Sequence, residues 1–299
     1  MDQAGPPTAA VERSGFKSNP VFVRQGPFMP SIPPFPIAAA WPDPRLRAIQ
    51  VRGAPNIQPM VQRAAEDFMA EAPGRAVAVA AGNSRRGYKG VIDGSCDIGM
   101  IATSLSADLA RLARRLALDL DYTLIGIDGV VPIVHPSNPV RDLTLDQLRR
   151  IFSGHVTDWR AVGGPDRPIL PLSQPPSLGS YEIFSARVMV DRVFTPRAEV
   201  LEGLAVVDKV AVTPEAIGYI ASGYLDARVR ALSINGIAAT AEAFRSGSYP
   251  LRRRLTLLMR RDGAPLARAF IAYVAEAGKG QRHVAEAGAV AVSSDRRTR

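Results

Sequence analysis

Apolar positions along the chain fall into short runs whose period switches between two and about 3.6 residues. Residues 48–52 read as a strand entering a turn at Gly53. Residues 58–69 put Met60, Val61, Ala64, Ala65 and Phe68 on one helical face. The unbroken apolar run 76–80 reads as a second, fully buried strand, and 96–101 as a third. Between them a polar turn, 82–87, leads into a short helix over 88–93. A further helix follows at 108–116, and two apolar runs flank Asp128-Gly129 within 125–135. Strands at 169–172, 216–220 and 255–259 alternate with helices at 178–189, 266–276 and 281–287. Strands alternating with helices predict an α/β fold with a mostly parallel sheet and crossover helices.

The sharpest local pattern spans 142–164. Leu143, Leu145, Leu148, Ile151 and Phe152 give one apolar face. Thr144 with Gln147 three residues on reads as a capping box, and Ser153-Gly154 as the helix stop. Trp159 follows in a loop closed by Gly163-Gly164, and its size predicts burial.

Residues 1–45 are rich in proline, which removes backbone donors and fixes φ, so they read as an extended or disordered lead segment. No basic stretch followed by a clean apolar core marks a signal peptide there. Residues 293–299 read as a basic tail. Lys and Arg total 37 against 28 Asp and Glu, a net charge of +9. The arginines are dispersed, the densest groups being Arg252-Arg253-Arg254, Arg260-Arg261 and the tail. No zinc-finger or basic-zipper spacing accompanies them, so nucleic acid is not an expected partner; a basic cell-surface protein or a site for anions explains the charge as well. The lone Cys96 rules out an intrachain disulfide and reads as a small core residue. No run of about 18 apolar residues predicts a membrane span. His135, His155 and His283 lack metal-site spacing, and GxSxG, Walker and GxGxxG motifs are missing. These spacings point to no catalytic residues, no metal and no cofactor.

The IFSG…W…GG segment of 151–164 resembles a signature of the phosphate-type substrate-binding proteins of ABC transporters, the PstS-like branch of the type II periplasmic binding proteins. The segments DGVVPIVHPSNP (128–139), AIGY (216–219) and AEAF…SGSYPL (241–251) resemble further stretches of that family. The resemblance runs from about Ala48 to Val292 and implies a two-lobed fold, each lobe a sheet flanked by helices, joined by two crossover strands. It places lobe 1 at 46–127 plus 230–292 and lobe 2 at 128–229, with hinges near 127–134 and 224–233.

Such proteins close two lobes on an oxyanion, using backbone N–H groups at helix N-termini and hydroxyl donors. By this resemblance Asn56 stands where the family contacts phosphate through a hydroxyl; it reads equally as the N-cap of the following helix. Ser84 matches the family's phosphate-contacting serine. Arg85 and Arg86 replace small residues and either hold the anion or point into solvent at the rim. Phosphate-specific members carry an aspartate at the position of Ala102 that accepts the ligand's proton; here that acceptor is missing. Gly179 and Ser180 match the Gly-Thr of an R-x-x-x-S-G-T-R pattern, while Gln174 stands for its arginine and Leu178 for its serine. The ligand-binding residues expected are thus Asn56, Ser84, Arg85, Arg86, Gln174, Gly179 and Ser180. Two functions fit. One is an exported or periplasmic, monomeric binding protein that presents phosphate or a related small inorganic oxyanion to an ABC permease, its anion pocket altered. The alternative is a degenerate binding-protein fold acting as a sensory or protein-interaction module, which the changes at Ala102, Gln174 and Leu178 favour.

Overall fold

The computed structural model describes residues 48–292; the lead segment 1–45 and the tail 293–299 lie outside the described residues. The chain opens with strand β1 (Ile49–Gly53), helix α1 (Gln58–Ala70) and strand β2 (Val77–Ala81). Helix α2 (Ser84–Asp93), strand β3 (Ile98–Ile101), helix α3 (Ala107–Arg115) and the long strand β4 (Leu120–Val134) follow. Next come β5 (Asp142–Leu143), α4 (Leu145–Phe152), β6 (Leu170–Ser173), α5 (Gly179–Phe184), β7 (Glu199–Val200), α6 (Gly203–Val212) and β8 (Ala216–Ala221). The return comprises β9 (Arg230–Ala231), β10 (Ser233–Ile234), α7 (Ala241–Ser246), β11 (Arg252–Arg260), α8 (Pro265–Ala275), α9 (Gly280–Glu286) and β12 (Val290–Ala291).

The main sheet runs β2-β1-β3-β11-β4-β8-β6-β7, with β9 and β12 also on β4. Outer strands are parallel (β2 and β3 on β1; β7 and β8 on β6), whereas β11 and β4, which carry the chain between halves, run antiparallel to their neighbours. Strand β4 joins the two halves. Its first part, to Gly129, pairs with β11, and its second part, from Val130, pairs with β8. The apolar runs on either side of Asp128-Gly129 are therefore one continuous strand. Glycine at 129 lets the Phe244 ring pack onto this strand, since a Cβ there would lie 2.4 Å from Cε1 of Phe244.

Two bodies of core follow from that division. Val51, Ile57, Phe68, Met100, Leu257 and Phe270 pack one side, with a satellite around Tyr88, Ile92 and Leu258. Phe152, Trp159, Leu172, Phe184, Val207 and Tyr219 pack the other, which continues through Leu232, Phe244, Tyr249 and Leu251. The stretch 142–164 behaves as its pattern requires. Thr144 Oγ1 accepts the Gln147 N–H while the Gln147 side chain accepts the Thr144 N–H. Trp159 is fully buried, and its Nε1–H donates to the Glu215 carbonyl oxygen at 3.0 Å. Gly163 has φ +81°, and a Cβ at Gly164 would lie 2.8 Å from the Trp159 Cβ, so glycine is needed at both.

Three expectations need correction. Strand β2 is not fully buried: it is the sheet edge, and of its five residues only Val77 is buried. Small alanines tolerate exposure on an edge and carry no outward polarity to reveal it. Helix α2 starts at Ser84 and not at Tyr88, because the Asn83 side chain accepts the Arg86 N–H at 2.9 Å and caps the helix four residues earlier. Helix α6 lies in a stretch for which no element was expected; its apolar residues surround the helix, so no clean face marks it.

Cys96 is buried, and burial pushes its thiol up to about 11. Iodoacetamide at pH 8 should therefore leave the native thiol unmodified and label it at the rate of unfolding, read by intact mass; rapid native labelling contradicts this packing. Among the described residues no helix is long and apolar enough to cross a membrane.

Candidate functional site

The two crossover strands bring a buried ion pair to the place where the halves meet. Asp128 on β4 and Arg253 on β11 are register partners. Arg253 Nε donates to Asp128 Oδ1 at 2.8 Å, and Nη2 donates to Oδ2. The side chains are 1% and 7% exposed, so each charge depends on the other. Asn56, in the β1–α1 turn, donates through Nδ2 to Asp128 Oδ2 at 3.4 Å. Among the described residues its buried Oδ1 has no hydrogen-bond partner. Asn56 is not the helix cap; Ile57 holds that position with no side-chain bond. Gly179, the first residue of α5, lies against the pair: a Cβ there would be 3.6 Å from Arg253 Nη1. Strand, turn and helix thus converge on one guanidinium.

Ser84 sits in the first turn of α2, buried, its Oγ accepting the Ala102 N–H at 3.0 Å. Its hydroxyl proton has no acceptor among the described residues, so it remains a donor. Arg85 turns the other way. Its guanidinium forks onto the Asp108 carboxylate at 2.6 and 3.2 Å and onto Ser106 Oγ at 3.0 Å. The Arg85 hydrogen bonds hold the Asp108 carboxyl well below its usual range. Arg85 still borders a groove of about 400 Å³ with Thr103, Tyr181 and Glu182. Arg86 lines a separate hollow with Arg52, Lys89 and Asp93.

Gln174 bonds both to Ser180 and to Tyr219. Gln174 Nε2 donates to the Tyr219 carbonyl oxygen at 2.6 Å, and its Oε1 accepts the Ser180 hydroxyl. The Gln174 N–H donates to Tyr219 Oη at 3.1 Å, and burial pushes that phenol up to about 12. These contacts fix the turn that presents Gly179, and the Ser180 proton is used inside them. The structure therefore groups Asn56, Gly179 and the ion pair, with Ser84 on the neighbouring turn; Arg85 and Arg86 face elsewhere.

Sequence reasoning missed Asp128 and Arg253. The arginine lies within Arg252-Arg253-Arg254, which reads as a surface cluster. The available signal was period two: Leu251, Arg253 and Leu255 share the inward face, and Arg252 and Arg254 are exposed. Among the described residues no cluster of His, Cys, Asp and Glu could hold a metal ion.

A model of the PBP superfamily domain matches residues 38–277. The phosphate-binding protein PstS of Bacillus subtilis is 29% identical over 84% of this chain and 83% of its own length. A provisionally assigned phosphate ABC transporter substrate-binding protein of Clostridium perfringens, solved with bound phosphate, superposes with a TM-score of 0.70 at 27% identity, covering 83% of this chain and all of that one. An ABC-type phosphate transport receptor from Vibrio cholerae shares the fold with a TM-score of 0.71 at 24% identity, over 82% of this chain and all of its own. With its family model spanning most of the chain and a two-lobed fold around the β4 crossover, this chain belongs to the PBP superfamily.

Proposed function

We propose that this protein is the substrate-binding component of a phosphate-type ABC transporter, capturing phosphate or a related small oxyanion in the cleft between its lobes. The observation that carries this reading is the buried Asp128–Arg253 pair beside Gly179. A desolvated guanidinium is the donor an oxyanion needs, and its pocket is altered in a definable way: Arg253 supplies the charge for which Gln174 has no counterpart. Ser84 donates its hydroxyl, Gly179 its backbone N–H, and Asn56 completes the turn through its amide. Arg85 and Arg86 draw anions toward the rim, and Gln174 with Ser180 holds the Gly179 turn. With the cation supplied, the loss at Gln174 no longer argues for a non-transport module. The lobes hinge where the chain passes between the two cores, on β4 near 127–134 and on β11 between Leu251 and Leu255, and not at the 224–233 expected from the resemblance, because 230–251 packs on the second core. Closure on the ligand makes the form a membrane permease recognises. The protein acts as an exported monomer without catalysis.

Thermal unfolding against phosphate, sulfate, molybdate, phosphonates and small carboxylates tests this. A ligand at a hundredfold its dissociation constant stabilises by about 2.7 kcal/mol, and phosphate is expected to do so. No shift with any of these anions, in folded protein freed of carried-over ligand, overturns the reading. Ser84→Ala is expected to weaken phosphate binding by about tenfold, the loss of one hydrogen bond to a charged partner. Arg85→Ala changes affinity little, since that guanidinium is committed to Asp108 in solvent. Calorimetric titration of both variants checks the contrast.

A further inference from the structure

We infer a second anion site on the face of β11 opposite to Arg253, built from Arg187, Arg252 and Arg254 and suited to a polyanion of the diphosphate class. It is separate from the oxyanion site proposed above and stands or falls without it. Side chains alternate along β11: Arg253 and Leu255 are buried on one face, and Arg252 and Arg254 are exposed on the other. That outer face borders a hollow of about 760 Å³. No Asp or Glu lines it, and its walls come from both halves of the protein. Ile183 and Tyr249 join it from the second core, and Thr256, between Leu255 and Leu257, from the first.

Three guanidinium groups meet this hollow. Gly247, at φ +85°, makes room for that of Arg252: a Cβ there would lie 2.9 Å from its Cζ. The same guanidinium donates to the Phe244 carbonyl oxygen at 3.3 Å, which holds it in place and leaves its charge intact. Arg187 follows Ile183 by one helical turn and so shares its side of the helix, toward the hollow. Arg187 and Arg254 have no hydrogen-bond or ion-pair partner among the described residues. Arg85, Arg228 and Arg261 are exposed too, yet each holds a carboxylate. The hydroxyls of Thr103, Ser104 and Thr256 line the hollow as well, and none has a hydrogen-bond partner among the described residues. A concave wall carrying charge of one sign concentrates counter-ions, and arginine forks onto phosphate oxygens through two N–H groups. A lone phosphate carries about 1.5 to 2 negative charges at pH 7, short of three cations. A second phosphate joined to it supplies the missing charge and lets one ligand meet Arg187 from one half and Arg254 from the other.

The test is calorimetric titration of the full chain with pyrophosphate and with phosphate, at one fixed low salt concentration. It compares the wild type with Arg187→Ala/Arg254→Ala and with Arg253→Met/Asp128→Leu. Pyrophosphate should bind the wild type, and its affinity should fall by about tenfold or more in Arg187→Ala/Arg254→Ala, which removes two charge-assisted contacts. Arg187 and Arg254 are exposed, so that variant should unfold at the wild-type midpoint and bind phosphate as the wild type does. Pyrophosphate binding should survive in Arg253→Met/Asp128→Leu, since the buried pair lies on the other face of β11. No pyrophosphate binding to the wild type, an unchanged pyrophosphate affinity in Arg187→Ala/Arg254→Ala, or its loss in Arg253→Met/Asp128→Leu overturns the second site. The phosphate titration of the wild type reads the oxyanion site separately, so either reading can fail while the other stands.

Discussion

Replacing Arg253 by methionine is expected to abolish oxyanion binding and to destabilise the fold by about 3–5 kcal/mol, the cost of leaving one member of a buried ion pair alone. The stability loss comes from Asp128, whose carboxylate is 7% exposed and would keep only the long Asn56 contact. The second substitution separates the two effects. Arg253→Met with Asp128→Leu replaces both charges by apolar groups and should recover most of the stability, because a buried pair contributes little net relative to a packed apolar one. It should recover none of the binding, because the donor is gone. Urea denaturation and calorimetry on the single and double variants read the two quantities independently. Oxyanion binding retained by Arg253→Met removes this residue from the site.

Trp159→Ala should cost about 3–5 kcal/mol, the usual range for removing a buried tryptophan from a core. The side chain is fully buried in the second core, and its truncation also strands the Glu215 carbonyl oxygen that accepts Nε1–H. The position lies in the second core, away from Asp128, so the folded fraction of the variant should bind oxyanion with nearly wild-type affinity. Denaturation midpoints and a binding isotherm on the same sample check the pair of expectations. A loss under about 1 kcal/mol shows that the loop closed by Gly163-Gly164 rearranges to fill the hole.

Legibility in the sequence followed how local the determining physics is. The α4 cap, the glycine stop and the buried Trp159 depend on residues within a few positions of one another, and the pattern of 142–164 contains all of them. The alternation of strands and helices was equally readable, because crossover helices carry one apolar face. Strand β2 was misjudged because edge or interior is decided by which strands lie beside it, and alanine looks the same in both. The ion pair was invisible for a related reason: Asp128 and Arg253 are 125 residues apart and meet only through the β4–β11 register. Resemblance pointed to Asn56, Ser84, Gly179 and Ser180 as local motifs. It could not say that Ser180 gives its proton to Gln174, nor that Arg85 is held by Asp108, since both depend on side-chain partners.

The cleft beside the Asp128–Arg253 pair is proposed to capture a phosphate-type oxyanion. Unfolding the protein, dialysing away any carried-over ligand, refolding it and titrating it with phosphate by calorimetry tests this most directly. A saturable isotherm with one site per chain is expected, and it should disappear in Arg253→Met/Asp128→Leu, the stable variant without the donor. A folded wild-type protein that gives no saturable heat, or a double variant that binds phosphate as the wild type does, contradicts it.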